Sequence, residues 1–243
     1  MRTNPRAKLI RRTVKHSLHR TLTRRAPRAL VATCAALCAI LTTSVSPVSA
    51  HASVTTVTPS QAAQLSSAPP AISVRFSEPV TADAKRVQLL DAKGKVVAAT
   101  YREEEMGVLH MLTPVKSLSA GLYALRWSVV SADGHVVTGA STFAVKTKAP
   151  SGKEAPITVT ASGKKMSAAL TASRIGAMTL KAPSTSFVRA ELKHKQLGAT
   201  MTLPLVNGKA AVVLPFTGTW SLTLIEKTGT FTETRWLGSV TLR

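Results

Sequence analysis

Short segments that alternate apolar and polar residues, cut apart every few positions by Gly, Pro, Asn or Asp, run through most of this 243-residue chain and restrict it to β architecture. Successive side chains of a strand point to opposite faces, so alternation with a period of two marks a strand with one buried side. "ISVRF" (Ile72–Phe76) has this pattern. So does "YALRWSV", which sets Tyr123, Leu125, Trp127 and Val129 on one face, and "STFAV", which does the same for Phe143 and Val145. "VQLL", "KVVA" and "VLHML" are shorter candidates, with turn signals at Ala92-Lys93-Gly94, Thr113-Pro114 and Ala120-Gly121. Many short strands with frequent turns predict a sandwich or barrel.

The second half has the same style. Asn207-Gly208 predicts a type I′ hairpin between "TMTLPLV" and "KAAVVLPF". Pro204 and Pro215 predict edge positions, because proline cannot donate to a ladder. "TWSLTLI" turns Trp220, Leu222 and Leu224 inward, "RWLGSVTL" closes the chain, and Trp220 and Trp236 read as core. Neither half shows a long amphipathic helix. "KTKAPSGKEAP" (Lys146 to Pro156) has linker composition. The expected organisation is a leader at 1–50, a β-sandwich at 51–146, a linker at 147–156 and a second small β-sandwich at 157–243.

The leader is expected from three adjoining features. Residues 1–28 hold ten Lys or Arg and no acid, Ala29 to Val45 is apolar, and Val48-Ser49-Ala50 is a small-residue cleavage site. That is a secretory signal peptide, and its apolar run is shorter than the roughly 20 residues that span a bilayer. Residues 51–243 contain no further run of that length, so no transmembrane span is expected in the mature chain. The expected location is the periplasm, the cell envelope or outside the cell. Setting the leader aside lowers the 32 Lys and Arg to 22 against 11 Asp and Glu, a net charge of +11 instead of +21. Dispersed charge, few aromatics and an extracytoplasmic destination argue against nucleic acid. Anionic envelope polymers or phospholipid surfaces suit the remaining charge.

Both cysteines, Cys34 and Cys38, fall in the leader. Any metal site in the mature chain must therefore use His, Asp, Glu, Met or the terminus. Cleavage after Ala50 makes His51 the first residue, offering an imidazole and an α-amine whose ordinary pKa near 8 lets a metal displace its proton. In "SADGH" an extended backbone would point Asp133 and His135 the same way. Three nitrogens and one oxygen suit copper(II). The competing reading is a plain DG turn capped by Asp133. Met106 and Met111 read as core filler around His110, Glu103–Glu105 as a solvated loop, and His194, Met166, Met178 and Met201 form no site.

"HASVTTVTPSQAAQLSSAPPAISVRFSEPV" and "LSAGLYALRWSVVSADGHVVTGASTFAV" resemble the CopC copper-resistance family over residues 51–146. The resemblance implies an Ig-like, Greek-key β-sandwich that binds copper outside the cytoplasm. It implies His51, Asp133 and His135 as copper(II) ligands, with Glu78 of "FSEPV" orienting a ligand imidazole. A membrane copper transporter of CopD type is the implied partner; the CopD region fused to this domain in some members has no counterpart in these residues. The Met-rich segment by which some members bind copper(I) is reduced to Met106 and Met111. "FTGTWSLTL" is similar to the YtkA-like sandwich modules that accompany CopC-type domains. The expected function is copper(II) sequestration, buffering or delivery in copper homeostasis or resistance, without catalysis and with no catalytic residue. A copper oxidase or monooxygenase using the histidine chelate, and a structural surface protein, are the alternatives.

Overall fold

The computed structural model describes residues 52–243. The leader, its cleavage site and His51 lie outside the described residues. The chain forms β1 (Val54–Thr58), β2 (Gln64–Leu65), β3 (Ile72–Phe76), β4 (Val80–Thr81), β5 (Val87–Asp91), β6 (Ala99–Glu104), β7 (Leu109–Pro114), β8 (Gly121–Ser131) and β9 (Val136–Val145). It continues with β10 (Ala155–Ala161), β11 (Lys164–Leu170), β12 (Gly176–Lys181), β13 (Phe187–His194), β14 (Thr200–Pro204), β15 (Lys209–Leu214), β16 (Gly218–Lys227) and β17 (Glu233–Leu242). The described residues are thus all-β apart from one 3-10 turn at Glu105–Gly107, and none of their helices is long and apolar enough to cross a membrane.

The first nine strands make two facing sheets. One has the order β1-β3-β7-β6, and the other β2-β9-β8-β4 with β5 also on β8. The chain passes between the sheets after β1, β2, β3, β5 and β7, as in a Greek-key sandwich. Tyr123, Leu125, Trp127 and Val129 share the core between the sheets with Phe143 and Val145, as the alternation predicts. Trp127 pairs across the ladder with Gly139, where a Cβ would lie 2.4 Å from the indole. Only glycine lets the ring lie on that strand. "KVVA" forms no strand: Val96 makes a single bridge to Leu90, and the strand begins at Ala99.

The last eight strands follow the path β14-β13-β16-β17-β10-β11-β12-β15. β10 and β17 are joined by one register pair, Thr160 to Leu237, so the path folds into two four-stranded layers. Ile157, Leu170 and Leu180 of one layer meet Leu192, Trp220 and Trp236 of the other in a common core. Asn207 and Gly208 both have positive φ, and Val206 and Lys209 exchange backbone hydrogen bonds at 2.9 and 3.0 Å, as a type I′ turn requires. The strands flanking that turn then separate: β14 pairs with β13, and β15 with β12, at opposite ends of the path. Turn chemistry sets two residues; the apolar faces of β14 and β15 find different layers. Pro204 stands on edge strand β14, where its missing donor is harmless. β10 begins at Ala155, inside the expected linker, because Ala155 is buried and pairs with Leu170.

The two sandwiches pack together. Every residue of β9 from Ala140 to Val145 is buried, so both faces of this strand are covered. On its outer face Ala144 joins Leu122 of β8 in a cluster with Ala177 and Val213. Thr142 Oγ1 donates to the Val213 carbonyl at 2.6 Å, and Arg126 Nη1 to the Leu197 carbonyl at 3.0 Å.

The stretch around Glu105 differs from the solvated loop expected. Glu103 and Glu104 belong to β6, and Glu105 makes a two-pronged ion pair with Arg75. Met106 is not core filler: it sits on the 3-10 turn with φ 52° and is 91% exposed. His110 beneath it is fully buried. Its Nδ1 lies 2.8 Å from the Tyr101 hydroxyl, and its Nε2 3.0 Å from the Gly107 carbonyl. Burial lowers the His110 pKa from 6.5.

Two outcomes follow from this packing. On a sandwich standing alone Ala144 would face solvent, and Ala144→Asp would change stability by about 0.5 kcal/mol or less. With that face covered, urea denaturation will show a loss of at least about 3 kcal/mol, as an uncompensated buried charge brings. A buried neutral imidazole contributes stability fully above pH 6.5, and that contribution is lost as pH falls below 6.5 toward the lowered folded-state pKa. Thermal melts between pH 7.5 and 5.5 are therefore expected to fall less steeply in His110→Gln than in the parent (about 1 pH unit either side of an ordinary His).

Candidate metal centre

The β8–β9 hairpin ends in the turn Ser131-Ala132-Asp133-Gly134-His135. Ser131 N–H donates to the His135 carbonyl and Gly134 N–H to the Ser131 carbonyl, both at 2.9 Å. Gly134 has φ +83°, with nothing within 4 Å of where a Cβ would be. Glycine is needed there for the backbone conformation and not for space.

Within this turn Asp133 and His135 come together, through a left-handed Gly134 and not along the extended backbone expected from the sequence. His135 Nδ1 lies 3.1 Å from Asp133 Oδ2, and His135 N–H donates to Asp133 Oδ1 at 3.1 Å. The Ser131 hydroxyl also donates to Asp133 Oδ1. That hydroxyl first, and then the His135 backbone and ring, hold the Asp133 carboxyl down to about 2 from its ordinary 3.8. The group is therefore a carboxylate at every physiological pH. Nδ1 and Oδ2 stand as close as two neighbouring ligand atoms on one metal ion, so the pair can offer a nitrogen and an oxygen to the same ion. The turn thus combines the two readings of "SADGH": one oxygen of Asp133 caps it, and the other faces the imidazole. Ser131 was not singled out by sequence reasoning, although its place two residues before the aspartate is the spacing of a hydroxyl that caps a turn.

Glu78 follows β3 and is half-buried, and its Oε1 is a buried atom with no hydrogen-bond partner among the described residues. The segment that carries it is tied at both ends. Val80 pairs with Ser131 at the start of the turn. Ser77 N–H donates to the Ser53 carbonyl at 2.8 Å, and Ser53 N–H donates back to Ser77 Oγ at 3.0 Å. Ala52 is buried in the first core. The beginning of the described chain is therefore clamped to the segment that also borders the turn. His51 is outside the described residues, and among them no three His, Cys, Asp or Glu side chains form a metal-sized group. His194 serves the second sandwich: Nε2 contacts the Thr217 carbonyl at 2.9 Å and Nδ1 accepts from Leu197 N–H at 3.1 Å.

Comparison with known proteins agrees with the first sandwich. The family model described as the CopC domain matches residues 54–146. Protein YobA of Escherichia coli K12 is 38% identical over 112 residues, covering 44% of this chain and 90% of YobA. Copper transport protein CutJ of Bacillus subtilis is 31% identical over 98 residues, 40% of this chain but only 18% of CutJ. Among solved structures, CopC from Methylosinus trichosporium is 24% identical with TM-score 0.35, covering 42% of this chain and all of that one. PcoC of E. coli, a methionine-rich copper resistance protein, is 29% identical with TM-score 0.35, covering 40% and 99%.

The origin of the low Asp133 pKa is open to direct measurement. Ser131→Ala removes its largest cause, so NMR titration of the Asp133 carboxyl is expected to show its pKa rising from about 2 toward 3.8. The stability linked to this carboxylate is complete above its unfolded value and is lost as pH falls through the folded one. The variant will therefore unfold at a less acidic pH than the parent.

Proposed function

The chain belongs to the CopC-domain family, and on that premise we propose that it handles copper in the cell envelope, holding one copper(II) ion through His51, Asp133 and His135 without turnover. The observation that carries the reading is the carboxylate–imidazole pair on a turn whose backbone is already closed. This pair is one nitrogen and one oxygen of the proposed set. The Ser53–Ser77 clamp supports the remainder, because it fixes the chain two residues after His51. In this reading secretion exposes His51 as the first residue, and its amine and imidazole complete a tetragonal N,O set suited to copper(II). Glu78 Oε1 accepts from a ligand imidazole, which gives that buried oxygen a hydrogen-bond partner.

The similarity to the copper transport protein CutJ points the same way. The finer role is sequestration or delivery to a membrane partner of CopD type. The residues after 156 are then a companion module, YtkA-like in "FTGTWSLTL", that carries no metal ligand.

Copper(II) titration of the secreted protein is expected to saturate at one ion per chain, with a nitrogen-rich spin-resonance spectrum that loses one nitrogen in His135→Ala. Glu78→Gln is expected to weaken binding about 10–100-fold, as loss of a ligand-orienting group does. One extra residue before His51 converts the amine to an amide and will weaken binding sharply. Undiminished affinity in that extended form would rule out the amine as a ligand.

A further inference from the structure

The first sandwich is open along the side where β1 borders one sheet and β9 the other. A groove of about 370 Å³ lies there. That volume is in the range of ordinary ligand pockets. Val54 and Val57 form one wall, Thr200 and Thr202 of edge strand β14 the other, and Val137–Ser141 of β9 the floor. The second sandwich is therefore part of it.

Three observations bear on what it takes. Trp127 and Ser141 line the groove and are only 6% and 2% exposed. Trp127 Nε1 and Ser141 Oγ are nevertheless buried with no hydrogen-bond partner among the described residues. An indole N–H can only donate, so the missing partner is an acceptor. The second observation is the floor itself. Thr142 and Ala144 direct backbone groups away from β8: the Thr142 carbonyl accepts from Ala62 N–H, and Ala144 N–H donates to the Ala63 carbonyl, both at 2.8 Å. Alternation along a strand puts the backbone groups of Thr138 and Ala140 on that same edge. β2 pairs only with Ala144 and Val145, so among the described residues no strand pairs with Thr138 and Ala140 along that edge. Thirdly, among the described residues no Lys, Arg, Asp, Glu or His lines the groove.

A ligand that meets all three conditions is uncharged, presents carbonyl acceptors, and carries donors and acceptors at strand spacing. A neutral sugar meets the first condition but not the strand spacing. We propose that the groove receives an extended, uncharged, small-residue peptide segment of a partner protein, which adds as a strand to β9 at Thr138 and Ala140 and accepts hydrogen bonds from Trp127 Nε1–H and Ser141 Oγ–H. Such strand addition draws affinity from main-chain bonds and specificity from the walls. The inference does not rest on the copper reading.

The test is NMR of the isotope-labelled secreted protein with acetyl-Ala-Ala-Ala-amide at millimolar concentration, and with glucose as the neutral comparison. The peptide is expected to shift the Trp127 indole N–H and the Thr138 and Ala140 amides saturably, and to slow hydrogen exchange at those two amides. Trp127→Phe is expected to weaken binding about tenfold, the loss of one buried hydrogen bond. Ser141→Ala, which alters the core less, gives an independent measure in the same direction. Non-saturating shifts, equal shifts with glucose, or unchanged exchange at Thr138 and Ala140 would overturn the proposal and leave a groove that holds water only.

Discussion

The burial of β9 on both faces is the constraint on which the other features depend. A strand covered on one side only needs alternating residues, and β9 begins that way, with exposed Val136 and Thr138 on either side of half-buried Val137. From Ala140 onward every side chain is enclosed. Phe143 and Val145 fill the first core, while small residues on the reverse let the second sandwich approach the sheet. An apolar second side would bury similar area at about 25 cal/mol per Å². Thr142 adds direction, because its hydroxyl must find an acceptor and finds the Val213 carbonyl. The hairpin is thereby held from both sides, and its tip carries the Asp133–His135 pair.

That tip gains its rigidity locally. Ser131 contributes through both its backbone and its hydroxyl, Gly134 supplies the left-handed residue, and Asp133 receives three hydrogen-bond donors from Ser131 and His135. A ligand pair held this way loses little conformational freedom when it binds an ion, which is the advantage of preorganisation. The low pKa of Asp133 has a second consequence. Proton competition at this carboxylate is negligible near neutrality, so the pH dependence of the proposed metal binding falls to nitrogen donors.

Legibility in the sequence followed physical locality. "ISVRF", "YALRWSV" and "TWSLTLI" were readable because one face of each is packed and the other is not. Asp133 and His135 were paired on the alternation of an extended backbone, whereas a five-residue turn with left-handed Gly134 is what brings them together. The outer face of β9 was not, since Thr142 and Ala144 are residues that suit solvent as well as a tight interface. Nor was the fate of β14 and β15. Asn207-Gly208 determines the turn, but the partners of the strands on either side are chosen by apolar faces distant in sequence. Met106 was misread because a lone apolar residue gives no sign of whether its backbone is strand or turn, and here φ is positive. His51, the remaining proposed ligand, is assigned on sequence and resemblance.

The account therefore turns on where the secreted chain begins. Intact-mass analysis of the protein purified from the extracytoplasmic fraction measures this directly. A mass corresponding to a chain that starts at His51 is the predicted result. A chain that starts at Ala52 or later would lack both the amine and the imidazole, and would contradict the proposed copper(II) centre.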